Sequence, residues 1–163
     1  MKLLSLDVGT TESGYAILEV PEYNKLTIHE FGKIDNNKLL EIVKSDMYDH
    51  MAYEQFQCYG MAVGESTIES IIWNGRYIQS AIDKNIEVTA IYRKDEKINL
   101  CNSMRAKDAN IRQALIDRFA KKDKKSGKGT KKDPDVFYGV TKDVWQAIAV
   151  GVTWFDMEKE RER

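Results

Sequence analysis

The chain has 163 residues, of which 42% are hydrophobic and 31% charged, and its formal net charge is −1. This length and composition predict one globular domain over residues 1–163 and leave no room for two large ones. A near-neutral chain is not a polycation, so nucleic-acid binding would require basic residues gathered in one region. No apolar run has the length of a membrane span, and the apolar residues before Asp7 are too few for a signal peptide.

The two cysteines, Cys58 and Cys101, lie far apart, without a CxxC motif or a histidine cluster. This arrangement indicates neither a zinc site nor a disulfide framework. We therefore expect a protein of the reducing cytoplasm that has no contact with a membrane.

The first elements are predicted by strand-like apolar runs around a turn. Residues 3–18 contain two such runs, and the turn between them holds Gly9 and Gly14, which predicts a β-hairpin. Residues 25–33 alternate apolar and polar side chains and predict a third strand. The sheet is therefore expected to open as an antiparallel meander, followed by an asparagine-capped helix at 36–44.

Strands and helices alternate in the rest of the chain. The remaining predicted elements are a strand at 50–54, a helix at 65–84, a strand at 86–91 and helices at 105–119 and 140–154. In the last helix the small residues Ala147, Ala149 and Gly151 predict close packing on the sheet. Together these elements predict an α/β fold with a mixed sheet.

Three carboxylates interrupt otherwise apolar elements, since Asp7 ends the first strand, Glu54 ends the fourth and Asp143 opens the last helix. A buried carboxylate is costly unless it is paired, hydrogen-bonded or bound to a cation. Neighbouring strands and a crossing helix can bring the three together, and hard oxygen ligands of this kind suit Mg²⁺ and phosphodiester hydrolysis. Taken singly, Asp7 is also typical of a turn, and Asp143 of a charge stabilised by a helix N-terminus.

Three blocks of sequence carry a resemblance to a known family. They are Leu6-Asp7-Val8-Gly9 with Gly14-Tyr15 closing the turn, then Ala52-Tyr53-Glu54-Gln55-Phe56, then Asp143-Val144-Trp145-Gln146-Ala147-Ile148-Ala149-Val150. In this order they resemble the RuvC family of Holliday-junction resolvases (crossover junction endodeoxyribonucleases), and the short segment before Glu54 is similar to the bacteriophage branch. The resemblance extends over most of the chain and implies a ribonuclease H-like fold, a mixed five-stranded sheet flanked by helices.

The resemblance also implies a function. It implies a structure-selective endodeoxyribonuclease that nicks Holliday junctions and other branched DNA, including forks and flaps, by two-metal-ion hydrolysis. Its cofactor would be Mg²⁺, two ions per site, with Mn²⁺ able to substitute, and a homodimer would present two sites to a four-way junction. Asp7, Glu54 and Asp143 would be catalytic, and the same three residues with Gln146 would bind metal. The chain would act in the cytoplasm, that of a bacterial host if a phage encodes it.

Gln146 departs from the family pattern, which has an acidic residue or a histidine three positions after the first acid of the last helix. The i,i+3 spacing puts Asp143 and Gln146 on one helical face, so the amide oxygen can bind a cation directly or through water. The amide supplies no negative charge, however. A non-catalytic branched-DNA-binding protein of the same fold is therefore an open alternative.

A second alternative comes from the residues that follow Asp7. The sequence Asp7-Val8-Gly9-Thr10-Thr11 also resembles the first phosphate motif of actin-like ATP-dependent phosphotransferases. Those enzymes need two similar domains that close on ATP, for which this chain is too short. It also lacks a second glycine-rich phosphate segment.

Basic residues are concentrated at 121–135, where seven lysines accompany three aspartates. We predict a mobile loop that contacts DNA by charge alone, so that binding is salt-sensitive and tolerant of sequence. A solvated linker is the alternative. The resemblance adds two lysines near the phosphate path, and the full set of expected DNA contacts is Lys97, Lys107, Lys121, Lys122, Lys124, Lys125, Lys128, Lys131 and Lys132.

Overall fold

The computed structural model describes residues 1–163 and contains five strands and five helices. In chain order they are β1 (Leu3–Asp7), β2 (Glu12–Glu22), β3 (Lys25–Asp35), α1 (Asn36–Val43), β4 (His50–Gln55), α2 (Glu65–Asp83), β5 (Glu87–Tyr92), α3 (Arg93–Cys101), α4 (Asp108–Phe119) and α5 (Lys142–Arg161). None of the helices combines the length and the apolar character that crossing a membrane requires.

The strands form one mixed sheet in the order β3-β2-β1-β4-β5. β1, β2 and β3 pair antiparallel as the predicted meander, whereas β4 pairs parallel to β1 and β5 parallel to β4. Parallel neighbours need a crossover connection, which α2 supplies between β4 and β5. The predicted α/β fold with a mixed five-stranded sheet is confirmed, and β1 lies at its centre.

Side chains of the sheet alternate between two hydrophobic cores, one on each face. The first core gathers Leu3, Leu18 and Ala52 with buried residues of α4 and α5. The second gathers Leu4 and Met51 with residues of α1 and α2. Odd-numbered positions of β1 therefore face α5, and Asp7 ends the strand on that side.

α5 is the central helix of the first core. Val144, Trp145 and all residues from 147 to 155 are buried. A Cβ on Gly151 would lie only 3.0 Å from Ser5 Oγ and from Leu18 Cδ2. The missing side chain thus lets α5 approach β1 and β2 closely, as the small residues of its sequence predict.

Several boundaries differ from the prediction, and α3 is absent from it. α4 begins at Asp108 rather than at 105, and α5 begins at Lys142 rather than at 140. The cap of α1 is Asp35, whose carboxylate accepts the N–H of Asn37 at 2.8 Å. The one fully buried residue of α3 is Glu96. A helix whose buried face carries a carboxylate has no apolar periodicity to reveal it.

Residues 121–135 form a loop without regular helices or strands, organised by two carboxylates. Asp123 accepts from three backbone N–H groups of the loop, those of Lys125, Ser126 and Gly129. Asp135 accepts from four, those of Lys121, Lys122, Asp123 and Val136. Bonds from the Ser126 hydroxyl and from the amides hold the pKa of Asp123 below its usual range. Mobility of this loop stays a prediction, and its dense hydrogen bonding argues against it.

Candidate active site

Asp7 and Glu54 lie side by side at the carboxyl ends of the two central parallel strands. The register pairs Leu6 with Tyr53, so the next residues on β1 and β4 are Asp7 and Glu54. Neighbouring strands are about 4.8 Å apart, and residues at paired positions project to the same face. That face is covered by α5, because Ala52, two residues earlier on β4, belongs to the core beneath this helix. The strand register therefore produces the predicted approach of these two carboxylates.

Both carboxylates are partly buried. Burial, followed by the charges of Glu54 and Asp143, raises the pKa of Asp7 from 3.8 to about 7. Burial also raises the pKa of Glu54, and the nearby Arg93 guanidinium opposes this rise. Two desolvated carboxylates side by side favour a cation between them, because a cation offsets both the burial cost and the mutual repulsion.

Asp143 reaches the same end of the sheet from the first turn of α5. Gly14 of β2 pairs with Asp7 on one side and with Lys33 of β3 on the other. A Cβ on Gly14 would lie 2.5 Å from the carbonyl oxygen of Asp143 and 2.9 Å from its carbonyl carbon. Because Gly14 has no side chain, the start of α5 sits directly above it, between Asp7 and Lys33.

The side chain of Asp143 is paired with a lysine. Nζ of Lys33 donates to Oδ2 of Asp143 at 2.8 Å, and the two side chains are 44% and 38% exposed. The hydrogen bond and the charge of Asp143 raise the pKa of Lys33. An ion pair this exposed is weak in water, so an incoming cation or phosphate can separate it.

Two adjoining grooves meet at Asp7. One has a volume of about 440 Å³ and passes between Glu54 and the face of α2 that carries Ser66 and Ser70. The other, of about 370 Å³, runs past Lys33 and Asp143. Both include Asp7 and the turn that follows it. An extended ligand can therefore cross the carboxylates from one groove into the other.

A cation that the sequence analysis missed lies next to these carboxylates. Arg93, the first residue of α3, follows directly after β5. Its Nη1 donates to Glu96 Oε2 at 2.6 Å and to Gln146 Oε1 at 2.5 Å, and its Nη2 donates to Asp108. Glu96 is fully buried, and its other oxygen has no hydrogen-bond partner. A charged residue directly after a parallel strand was the available signal, since ligand sites gather at that edge of a sheet.

The predicted metal ligands divide into two halves. The structure has no group of three or more His, Cys, Asp or Glu side chains arranged to hold a metal ion. Asp7 and Glu54 offer the hard oxygens that Mg²⁺ prefers, and a bound cation would offset the cost of burying both carboxylates, so this half fits a cation. The other half is already engaged, because Asp143 is paired with Lys33 and Gln146 with Arg93.

The lysines expected to contact DNA lie in three places. Lys97 is in α3, and Lys107 is the N-cap residue of α4, beside Asp108. The other seven lie in the 121–135 loop, where all but Lys128 are exposed.

The 121–135 loop is anchored close to the start of α5. Phe137, just beyond the loop, contacts Trp145 with ring centroids 4.5 Å apart. Trp145 lies two residues after Asp143 in the same helix. The C-terminal end of the basic loop is therefore held beside the start of α5.

The sheet order and the flanking helices define a ribonuclease H-like fold, and the solved structures of similar fold include several resolvases. The chain matches RuvC of Thermus thermophilus in complex with Holliday junction substrate at a TM-score of 0.73 and 13% identity, covering 98% of this chain and 96% of that one. It matches Fowlpox virus resolvase in complex with Holliday junction DNA at a TM-score of 0.58 and 17% identity, and the match covers 97% of this chain and 99% of that one. It matches the yeast mitochondrial Holliday junction resolvase at a TM-score of 0.59 and 11% identity, and the match covers 93% of this chain and 78% of that one. No protein-family model and no curated protein sequence matches the chain. At such identities the similarity establishes the fold.

Proposed function

We propose that this chain is a Mg²⁺-dependent, structure-selective endodeoxyribonuclease that nicks Holliday junctions and other branched DNA. The observation that carries the proposal is the pairing of Asp7 with Glu54 on neighbouring parallel strands, with Asp143 entering from α5. The structural neighbours support it, because two of them were solved with Holliday junction DNA. The two grooves that meet at Asp7 give a DNA strand a path over the carboxylates.

The reaction is hydrolysis of a phosphodiester. A water oxygen forms a bond to phosphorus, the bond from phosphorus to one sugar oxygen breaks, one proton leaves the water and the departing oxygen takes one up. Asp7 and Glu54 would hold Mg²⁺, which would supply positive charge to the phosphate in the transition state and favour ionisation of the water, and Mn²⁺ is expected to substitute. Lys33 lines the same groove and, once released from Asp143, binds a DNA phosphate.

DNA binding depends on the basic residues around the carboxylates. The 121–135 loop presents exposed ammonium groups, and its anchor on Trp145 keeps them near the site. Such contacts are sensitive to salt and tolerant of sequence. We expect phosphate contacts from Lys97, Lys107, Lys121, Lys122, Lys124, Lys125, Lys128, Lys131 and Lys132.

Two nicks in one four-way junction require two sites, which a homodimer supplies. Ile68, Ile71 and Ile72 of α2 are 48%, 43% and 52% exposed. An exposed apolar helix face of this kind is typical of a contact surface. We expect a second copy of the chain to cover it, and Ile72→Asp to give monomers in sedimentation equilibrium.

Gel resolution of labelled synthetic four-way junctions tests the activity. The wild-type protein is expected to nick the junction in Mg²⁺ at paired, symmetrical positions and to leave linear duplex uncut. Asp7→Asn and Glu54→Gln remove metal-binding charge but no basic contact, so cleavage should stop while binding persists. Glu41→Gln is the matched control, because Glu41 is an exposed residue of α1. An uncut junction bound by the wild type would favour the non-catalytic alternative, which Gln146 keeps open.

The phosphotransferase alternative makes the opposite prediction. It requires ATP turnover without nuclease activity, and it requires two similar domains. The chain has one five-stranded sheet. We therefore expect no ATP hydrolysis by the purified protein in Mg²⁺, which a phosphate-release assay measures.

A further inference from the structure

The half of the site formed by Asp143 and Gln146 is poorly suited to a second ion. Gln146 carries no charge, and its amide oxygen accepts a hydrogen bond from Arg93 at 2.5 Å. Asp143 is paired with Lys33 at 2.8 Å. Each group that would hold the second ion therefore already has a cationic partner.

Of the two cations, Arg93 is the firmly held one. Its guanidinium bonds acceptors from three elements: Glu96 of α3, Asp108 at the start of α4 and Gln146 of α5. The side chain of Arg93 is 24% exposed and that of Glu96 is 0% exposed. A guanidinium has five donors in one rigid plane, so three acceptors fix both its position and its orientation. Lys33, by contrast, is exposed and pairs with Asp143 at the surface.

The charge of Arg93 acts on the other half of the site. Glu54 pairs with Ile91 of β5, and Arg93 follows two residues later, so its guanidinium lies at the same edge of the sheet and its positive charge attracts both carboxylates. A positive charge at a second ion position would have the same effect on these carboxylates. Glutamine suits position 146 in this arrangement, because its amide oxygen accepts the arginine bond without adding a further negative charge.

We propose that the site binds one divalent cation, at Asp7 and Glu54, and that the guanidinium of Arg93 provides the positive charge that a second ion provides in a two-ion site. The inference rests on the proposed function and deepens it by fixing the number of ions. Glu96 and Asp108 hold the guanidinium in place. Gln146 acts as an acceptor for Arg93 rather than as a metal ligand.

Calorimetric titration of the full chain with Mn²⁺ measures the number of ions directly. We expect one ion per wild-type chain and none for Asp7→Asn. Two ions per wild-type chain would overturn the inference and leave the nuclease proposal standing. No bound ion at all would instead remove the metal site of the proposed function. In the junction assay, the cleavage rate should rise with the first power of the Mg²⁺ concentration, whereas a second-power dependence contradicts a one-ion site.

A pair of double variants tests whether Arg93 excludes the second ion. In Arg93→Gln with Gln146→Asp, the guanidinium is gone and a second carboxylate joins Asp143, so the ion count should rise to two. The matched control is Arg105→Gln with Gln146→Asp, which removes an exposed arginine outside the Arg93 contacts and should still bind one ion. Structural damage cannot create a binding site, so a gain of one ion is specific. An equal count in the two double variants would refute the role of Arg93, and circular dichroism checks that both are folded.

Discussion

Replacing Asp7 with asparagine should stabilise the metal-free protein, and more so as the pH rises. The pKa of Asp7 is raised from 3.8 to about 7 in the folded chain. A carboxyl with a raised folded pKa contributes stability below its unfolded pKa and loses it as the pH rises through the folded pKa. The shift corresponds to about 4 kcal/mol in total, of which about 3 kcal/mol is lost between pH 5 and pH 8. Asparagine has nearly the same shape and no such loss.

Urea denaturation in a chelating buffer, followed by tryptophan fluorescence, measures this effect. The free energy of unfolding of Asp7→Asn minus that of the wild type should increase by about 3 kcal/mol from pH 5 to pH 8. Glu41→Gln, on the exposed side of α1, should show no comparable trend. Mg²⁺ added at pH 8 should stabilise the wild type and leave Asp7→Asn unchanged. If the difference in unfolding free energy between the two proteins stays constant with pH, burial does not raise the pKa of Asp7 to about 7.

Two further substitutions test the packing that positions the site. Gly14→Ala puts a Cβ 2.5 Å from the Asp143 carbonyl oxygen, so it should destabilise the fold by about 1–3 kcal/mol in urea titration and weaken Mn²⁺ binding. Gly75→Ala is its control, since no atom lies within 4 Å of the added Cβ, and an unchanged Gly14→Ala would contradict the close approach. Arg118 is only 9% exposed, and its guanidinium donates to both carboxylate oxygens of Asp156 at 2.7 Å. Asp156→Ala leaves this buried guanidinium without its carboxylate partner and should lower the free energy of unfolding by about 3–5 kcal/mol. A cost below about 1 kcal/mol would mean that water replaces the carboxylate.

The sequence predicts those parts of the molecule that repeat or alternate. Short apolar runs and, in β3, apolar alternation identify the strands, and helical spacing of isoleucines identifies α2. The approach of Asp7 to Glu54 follows from each residue ending an apolar strand, because parallel strands align such ends at one edge of the sheet.

Other parts of the site depend on contacts without periodicity. Arg93 contacts one polar side chain in each of α3, α4 and α5, and no spacing in the sequence predicts these contacts. The pairing of Lys33 with Asp143 depends on the register that puts Lys33 opposite Gly14. The sequence indicates the three carboxylates but not their neighbours Lys33 and Arg93. A sequence pattern can locate a strand or helix, but it does not give the position of the charged group at the end of a long side chain.

Asp7, Gly14 and Lys33 lie in one row across the first three strands, whereas the carboxylate above that row comes from Asp143 in α5. A chain cut before α5 would contain the sequence of every strand but not the helix start that lies over Gly14. The three acids can therefore meet only after α5 has been made and has packed onto the sheet.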